Sequence, residues 1–422
     1  MYENINNKDS KHIVNKVLDI RKKYPNIFSE PLNENTNNIL YELYLRLNRS
    51  INYIEENFHD KVESNIKENV ECLKDQNIIL NLKSKYVSSN IREYIFSEDA
   101  REIEFIFRGD KEYKLVFIVF MKDISKSYQE YLEMCAIHIF SLIFFLEKSR
   151  HLSCKSDILE IYIFLTPFKK ILPTNLSHTI GPENVNTGST IPCRPTSRIV
   201  IYRQEEFMKL VIHELIHSMS IHLPDNLYEY YTKNLDKVFG IDSTYNFNET
   251  YTEMWAMVIN QLFFIAISTD RNIDKLKFTE LFKNSFNIEC YFSGIQVIKI
   301  LNFMGLSLKT LRDKYKNRKY KENTHVFAYY ILKYFLMYNF NSFLEICSYK
   351  NNNYILFSLT TNSDQINIDK IKKMIDIIVS LLNNKMFTEN FEKNVIVFKE
   401  EIENSKDYII KNTLRMTSIE LA

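Results

Sequence analysis

Residues 205–219 read EEFMKLVIHELIHSM, and the interpretation of the whole chain starts from this stretch. Its apolar spacing predicts a helix, and the HExxH pattern places His213 and His217 one above the other on a single helical face. Both imidazoles can therefore reach one metal ion. Glu214 is rotated away from them, yet it is close enough to take a proton from a water at the metal. Zinc held by two histidines still needs a third protein ligand, and a catalytic site keeps its fourth position open for water.

The candidates for the third ligand lie downstream, in residues 248–256, which read NETYTEMWA. Glu249 and Glu253 are four residues apart, so they share one face of a predicted helix that continues into a buried apolar stretch. Two carboxylates that face a core need a positive partner, and a zinc ion on the two histidines supplies one. We predict Glu249 as the ligand and Glu253 as the acceptor that orients a zinc-binding histidine. If Glu249 instead caps the helix, Glu253 is the next candidate ligand.

The order HELIH at 213–217 and then NETYTE at 248–253 resembles the gluzincin metallopeptidases. In that group a later Asn-Glu segment supplies the third zinc ligand, and an acidic residue four positions on often binds a histidine ligand. The resemblance implies a zincin fold and a bound Zn²⁺ ion. The ligands and the general base that it implies are His213, His217, Glu249 and Glu214.

The resemblance covers only about residues 198–267. The separation between His217 and Glu249 is longer than in thermolysin-like enzymes and nearer to that of clostridial neurotoxin light chains, whose HExxH is also HELIH. The resemblance to these two groups of enzymes does not indicate a substrate for this protein. A metzincin pattern is absent, because Gly and a third His do not follow at the required offsets, and His222 comes too soon.

Composition limits the other classes of function. The 422 residues carry 54 Lys plus Arg against 53 Asp plus Glu, and a net charge of +1 gives no global field for nucleic acid or an anionic membrane. The apolar runs at 136–146 and 254–267 are too short or too polar to span a membrane, so we expect buried helices there. The abundance of Asn, Lys, Ile, Tyr and Phe suggests an A/T-rich genome, such as that of a large DNA virus or a parasite.

The 6 cysteines are scattered without CxxC pairs. We therefore expect neither zinc knuckles nor a disulfide framework, and we expect Cys193 to be a free thiol. The polar, acidic N-terminus does not resemble a signal peptide. Together these features predict a protein of the cytoplasm, in a reducing compartment.

The periodicity predicts an α+β fold that is mostly helical and has a small mixed sheet. Residues 1–100 are expected to form a helical N-terminal region and residues 101–422 a zincin-like catalytic domain. Period-2 patterns predict strands at 103–107, 113–120, 158–165 and 198–203, with the first two forming a hairpin. Within the catalytic domain the predicted parts are a sheet-containing part (101–204), the active-site helices (205–267) and a helical C-terminal part (268–422).

Loop-forming residues are concentrated between residues 173 and 195. A loop or edge strand that approaches a ligand closely would use such residues, and we predict that Asn186 and Gly188 bind substrate. An ordinary surface loop is the alternative. The arginines that could hold a substrate carboxylate are Arg194, Arg198 and Arg203.

A helix is predicted to begin near Asn323 or Thr324 and to continue to Leu336. The oxyanion formed during peptide hydrolysis needs a hydrogen-bond donor besides zinc. We predict that His325 and Tyr329 supply it, with Tyr330 as a further candidate. Just upstream, residues 312–321 form a basic run with interleaved tyrosines, which is typical either of a solvated connector or of a nucleic-acid contact.

The sequence therefore predicts a zinc-dependent metallopeptidase that acts on a peptide or protein substrate. The alternative from another class is a catalytically silent zincin-fold interaction protein, and the amount of bound zinc would separate the two. A nucleic-acid-associated protein centred on the basic run is the weakest hypothesis and is not expected.

Overall fold

The computed structural model describes residue 5 and residues 7–25, 31–150, 154–223, 225–239, 241, 243–313, 320–348, 364–405 and 407–421. Most of the basic run (residues 314–319) therefore lies outside the described residues. The described part is a mostly helical α+β fold around one mixed sheet, as the sequence predicts.

The sheet has six strands in the order β1-β2-β3-β4-β6-β5. Strands β1, β2 and β3 pair antiparallel, β4 lies parallel to both β3 and β6, and β5 pairs antiparallel with β6. The strands are β1 (Val62–Lys67), β2 (Arg101–Arg108), β3 (Glu112–Val119), β4 (Ile158–Phe164), β5 (Gly188–Ile191) and β6 (Thr196–Ile201).

The predicted hairpin is confirmed as β2 and β3, and the two later predicted strands are confirmed as β4 and β6. The sequence signals were weaker for the two outermost strands, β1 and β5. Strand β5 occupies the segment expected to be a loop or an edge strand, and it is an edge strand. Strand β1 follows a long helix directly, inside the region predicted to be helical. Its sequence VESNIK is largely exposed, so it carries no apolar alternation, and it is held by pairing with β2.

Sixteen α-helices occur among the described residues. In the first half these are α1 (Lys8–Lys23), α2 (Glu34–Lys61), α3 (Gln76–Leu82), α4 (Ser89–Ser97), α5 (Lys126–Glu147), α6 (Pro182–Val185), α7 (Phe207–Ser218) and α8 (Tyr228–Phe239). In the second half they are α9 (Phe247–Ser268), α10 (Lys275–Phe303), α11 (Leu308–Leu311), α12 (Lys333–Tyr338), α13 (Phe340–Ser348), α14 (Asp364–Asn383), α15 (Lys385–Asn404) and α16 (Tyr408–Asn412). A π-helical turn, Phe327–Leu332, precedes α12.

Both faces of the sheet are covered, because the central strands are apolar on both sides. In β3, Leu115 and Phe117 face the main core, whereas Val116 and Ile118 face a smaller core under α3 and α4. The main core contains buried residues of α1, α2, α5, α7, α9 and α10. The N-terminal helices α1 and α2 thus share one hydrophobic core with the helices that carry the HExxH motif.

The segment 413–421 after α16 is buried throughout, at the N-terminal end of α7. The carboxylate of Glu206 accepts hydrogen bonds from the backbone N–H groups of Met416 (2.9 Å) and Thr417 (2.7 Å) and from Lys170 Nζ (2.7 Å). These contacts fix the start of α7 to the chain's last described residues. Sequence patterns did not predict this, because the partners are more than 200 positions apart.

Among the described residues, one helix, α5, is long and apolar enough to cross a membrane. Most of its apolar window is buried inside the protein, which is also usual for a core helix. It contacts α2 and α7 on the main-core side of the sheet.

The expectation that Cys193 is a free thiol is wrong, because Cys193 forms a disulfide with Cys154. Strands β4 and β6 are parallel neighbours in register from Ile158 and Thr196, so the residues that precede them lie side by side. The two cysteines precede these strands. The sequence did not reveal this pairing because it did not reveal the strand order. The four remaining cysteines form no disulfide in the described part of the chain and are buried.

Candidate metal centre

Helix α7 carries the two histidines on its buried side. Nearly every residue from Phe207 to Ser218 is buried, so the helix forms through packing between the sheet and α9 rather than through exposed amphipathicity. His213 and His217 lie on one face, and their Nε2 atoms are 3.2 Å apart. The helix ends immediately after His217, where Ser220 adopts a left-handed φ of 53°.

Helix α9 brings Glu249 to the same point. The N-cap of α9 is Asn246, whose side chain accepts a hydrogen bond from the backbone N–H of Glu249 at 3.3 Å. Glu249 is therefore not the capping residue, and its carboxylate is directed at the histidines. Its Oε2 atom lies 3.1 Å from His213 Nε2 and 3.4 Å from His217 Nε2.

The geometry of these three atoms fits a metal ion. His213, His217 and Glu249 form a group whose ligand atoms all lie within 4.8 Å of one another. Zinc ligands at about 2.0–2.1 Å from a tetrahedral ion are roughly 3.3 Å apart. The three observed separations of 3.1–3.4 Å match that edge length. Two imidazole nitrogens and a carboxylate oxygen this close together are compatible with a shared metal ion or with protons on the histidines.

The electrostatics agree with this donor set. Burial acts to raise the pKa of Glu249, but the nearby histidines outweigh burial and hold that pKa well below its usual range. For His213, burial favours the neutral form, yet hydrogen bonds to Glu249 and Glu253 raise its pKa to about 9. The cluster thus requires positive charge at its centre, which a proton or a metal ion can supply.

Glu253 lies behind the histidine, as the sequence suggested for an orienting carboxylate. Its Oε2 is 3.1 Å from Nδ1 of His213, on the ring nitrogen opposite the ligand atom. Lys209 donates to its other oxygen, and Lys333 Nζ lies 3.7 Å from that oxygen. Burial alone would raise the pKa of Glu253, but these cations lower it, so the carboxylate remains charged although only 1% of the residue is exposed.

A cavity of about 280 Å³ opens beside the cluster. The base candidate Glu214 lines it, as do four of the residues predicted to contact substrate or oxyanion: Asn186, Gly188, His325 and Tyr329. Strand β5 forms one wall, and residues at the start of the π-helical turn form another. Asn186 connects these walls, because its Oδ1 accepts a hydrogen bond from the Thr324 hydroxyl at 2.7 Å.

His325 and Tyr329 are both hydrogen-bond donors in this wall. Burial lowers the pKa of His325, so its imidazole is neutral, and its Nε2 lies 3.4 Å from the Asn246 amide nitrogen. The proton is then on Nδ1, a buried atom without a hydrogen-bond partner in the described part of the chain. Tyr329 sits in the π-helical turn with its ring 6.2 Å from that of His213. Burial raises the Tyr329 pKa well above its usual value, so its hydroxyl keeps its proton.

Some candidates lie elsewhere. The hydroxyl of Tyr330 donates to the carbonyl of Leu414 and is not in the cavity. Arg203 is buried, and its guanidinium donates to backbone carbonyls of Lys169, Glu183 and Asn186. Arg198 pairs with Glu160 and Asp75, and Arg194 does not line the cavity either. A substrate carboxylate would therefore find no arginine among the residues that line this cavity.

Sequence reasoning assigned no functional role to six residues of the cavity wall: Tyr86, Ser189, Thr190, Pro192, His222 and Thr324. The ring of His222 is 5.5 Å from that of His217, and its Nδ1 lies 2.8 Å from the Leu223 carbonyl oxygen. Its position in the loop right after α7 was a usable signal. No sequence signal placed Tyr86 at the cavity, because it comes from the connection between α3 and α4, more than 100 positions before α7.

Comparison with known proteins adds little about function. No protein-family model and no solved structure matches the chain. The chain is similar to "Uncharacterized protein R210" of Acanthamoeba polyphaga mimivirus, with 23% identity over 221 residues. The match covers 48% of this chain and 50% of that protein, so the chain spans about half the length of the curated relative. A relative from a giant virus is consistent with the viral origin that the composition suggests.

Proposed function

We propose that this protein is a zinc-dependent metallopeptidase with a zincin-like active site. The observation that carries the proposal is the convergence of His213 Nε2, His217 Nε2 and Glu249 Oε2 at separations of 3.1–3.4 Å beside a cavity. These residues hold the ion. Zinc in such a site supplies Lewis acidity, which polarises a carbonyl and makes water a nucleophile near neutral pH.

Glu214 moves the proton. It follows the ligand His213 directly in α7 and lines the cavity, so its carboxylate is near the position of an attacking water. The carboxylate takes the proton of that water as the water attacks the peptide carbonyl. It then delivers the proton to the nitrogen of the leaving amine, which completes cleavage of the C–N bond.

His325 and Tyr329 stabilise the negative charge that develops on the carbonyl oxygen. Both line the cavity. The phenol of Tyr329 keeps its proton, and a donor fixed in a partly buried site needs no reorganisation when the charge appears. The Nδ1–H of His325 is buried and has no hydrogen-bond partner among the described residues, so the His325 ring must turn to reach the oxyanion.

The peptide itself lies along β5. Within the described residues this strand pairs only with β6, so one side of its backbone is available to an extended chain. The strand also lines the cavity. Addition of a substrate strand to such an edge places the scissile bond over the metal ligands and uses main-chain hydrogen bonds, so it accepts many sequences.

The decisive experiment measures zinc and peptide cleavage together. The purified protein should bind one zinc per chain by elemental analysis and should cleave members of a peptide library detected by mass spectrometry. Glu214→Gln should abolish cleavage and retain zinc, whereas His217→Ala should lose both. His178→Ala, at an exposed histidine away from the cavity, should retain both. Cleavage by the Glu214→Gln variant would overturn the mechanism.

The alternative of a silent zincin-fold interaction protein makes the opposite prediction. Such a protein would show no stoichiometric zinc, and its wild type and Glu214→Gln variant would be equally inactive on the library.

A further inference from the structure

One face of strand β5 contacts Glu214, the proposed general base. Gly188 and Thr190 are two positions apart, so both are directed to the same side of the strand, which faces α7. Thr190 Oγ1 lies 2.5 Å from Oε2 of Glu214 and 3.3 Å from the backbone oxygen of the same residue. Sequence patterns gave no reason to connect a threonine in a predicted loop with the glutamate of the HExxH helix.

A hydroxyl has one proton, and the shorter contact identifies where it goes. A donor to a carboxylate forms a charge-assisted bond, which is shorter and stronger than a bond to a neutral carbonyl. Thr190 therefore donates to Oε2, and this oxygen is engaged within the protein. The second carboxylate oxygen, Oε1, is the one left to exchange a proton with substrate and water.

We infer that Thr190 is a positioning residue that fixes the rotamer of Glu214 and commits Oε1 to the proton transfer. The inference rests on the proposed function, because only a peptidase or related hydrolase uses Glu214 as a base. Thr190 acts through Glu214 and makes no bond to a reacting atom.

Gly188 is an independent observation about the same carboxylate. A Cβ built at this position would lie 2.9 Å from Leu210 Cδ2, 3.1 Å from the Val200 carbonyl oxygen and 3.4 Å from Glu214 Oε1. The contact with Leu210 Cδ2 involves the end of a side chain that can shift, but the 3.1 Å contact is with the backbone of β6, which has little freedom to move. A side chain at position 188 would therefore crowd the sheet, and its absence leaves room beside the oxygen that stays available.

The donor is held rigidly. Thr190 is paired with Ile199 in the neighbouring strand, and the adjacent Ser189 donates to the Asn81 side chain at 2.9 Å on the other side of β5. The disulfide of Cys193 fixes the chain just past the end of the strand. A hydroxyl on a strand held at three points cannot follow a carboxylate that turns, so it selects one orientation of Glu214.

Removing the hydroxyl should slow the chemical step. A Glu214 side chain free to rotate spends part of its time with the wrong oxygen, or neither, near the water. A loss of this kind in alignment costs about tenfold to a hundredfold in rate. Substrate binding should change little, because Thr190 donates to the enzyme's own carboxylate.

The test compares variants that differ by single atoms. Thr190→Val replaces the hydroxyl by a methyl group of similar size, and it should lower kcat about 10- to 100-fold while KM stays within about twofold. Thr190→Ser restores the hydroxyl and should recover most of kcat. Thr187→Val removes a buried threonine hydroxyl just before the same strand, which bonds Val185 and not Glu214, and serves as the matched control. Zinc content should be unchanged in all three.

A second readout does not depend on activity. In metal-free protein, Thr190→Val should lower the melting temperature by about 1–3 °C, because it leaves a carboxylate oxygen without its donor. In a Glu214→Ala background the same substitution should lower the melting temperature much less, so the effects of the two changes should be non-additive. Thr187→Val should change the melting temperature by the same amount in the wild type and in the Glu214→Ala variant.

The outcomes separate the two claims. If the wild type binds zinc and cleaves peptides and Glu214→Gln is inactive, but Thr190→Val matches the wild type and the melting shifts add, the role of Thr190 is refuted while the peptidase stands. If the wild type neither binds zinc nor cleaves, the proposed function fails, and a non-additive melting cycle would then show only the contact. Recovery by serine together with non-additivity supports the inference.

Discussion

The Nδ1 atom of His213 lies 3.1 Å from Oε2 of Glu253, a residue 40 positions later in the chain. This contact selects the tautomer that a metal-bound His213 would need: Nδ1 would keep its proton and donate it to the carboxylate, which would leave the Nε2 lone pair for an ion shared with His217 and Glu249. Glu253 is held charged in turn by Lys209, one turn before His213 in α7, and by Lys333. The charge balance of the cluster His213, His217 and Glu249 therefore depends on side chains outside the cluster.

Glu253→Gln should weaken zinc binding by about 10- to 100-fold, because the histidine loses the charged acceptor that orients it. Zinc affinity can be measured by competition with a chromophoric chelator. The variant should also be less stable by about 3 kcal/mol, since Lys209 is left buried without its counter-charge.

Glu289→Gln is the matched control for that experiment. Glu289 is also fully buried on a core helix, but its carboxylate accepts hydrogen bonds from Thr417 and Ser418 and does not contact a histidine. We expect this variant to lose stability and to keep its zinc affinity. Equal zinc affinities in both variants would contradict a specific role for Glu253.

Tyr329→Phe should reduce kcat about 10-fold or more without changing zinc affinity, because it removes a donor for the developing oxyanion. Tyr330→Phe removes the neighbouring hydroxyl, which binds the Leu414 carbonyl, and should cost about 1 kcal/mol of stability with no change in kcat. Steady-state kinetics and chemical denaturation distinguish the two. An unaffected kcat in Tyr329→Phe would leave His325 as the candidate donor.

Glu322 should make stability depend on pH. Burial raises its pKa from 4.5 to about 7, although Ser243, Tyr320 and the Phe327 N–H all donate to it. Between these two values the folded state holds a proton that the unfolded state has released. The free energy of unfolding should therefore fall as pH rises from 4.5 to 7, by roughly 3 kcal/mol from this group.

The measurement is the difference between the wild type and Glu322→Gln in urea denaturation at pH 4.5 and at pH 7.5. Glutamine cannot ionise, so the variant lacks this contribution while the other titrating groups are common to both proteins. The difference should change by roughly 3 kcal/mol between the two pH values. Parallel pH profiles would show that Glu322 does not titrate in this range.

The Cys154–Cys193 bond should stabilise the β5 hairpin and the end of α7. It closes a loop with a sequence separation of 39 residues, and Cys154 Sγ lies 3.3 Å from the Ser218 carbonyl oxygen. Cys193→Ser should lower the free energy of unfolding by about 2–4 kcal/mol. A dithiol reductant should lower the stability of the wild type similarly and leave that of the variant unchanged. A wild type insensitive to reductant would contradict the bond.

Periodicity was sufficient for the elements that bury one or both faces. The alternation in residues 103–107 and 113–120 predicted a hairpin, the apolar runs at 136–146 and 254–267 predicted the buried helices α5 and α9, and the spacing in 205–219 predicted α7. Periodicity did not predict β1 and left β5 as either a loop or an edge strand, because edge strands are held by a neighbour's backbone and their own side chains need not alternate. It also failed for the buried segment 413–421, whose charged and polar residues suggest a surface.

The sequence by itself determined which side chains could share one metal ion: HExxH fixes two histidines on one helical face, and the i, i+4 carboxylates of α9 share another, because helical spacing is a local property. Only the tertiary structure decided that these two helical faces meet. It also decided that Glu249 lies between the two histidines, that Glu253 contacts the far side of the His213 ring, and that Thr190 is the partner of Glu214. Those relationships depend on strand order and on how α7 packs against α9 and β5. Such contacts join residues that are distant in the chain, and no local pattern encodes them.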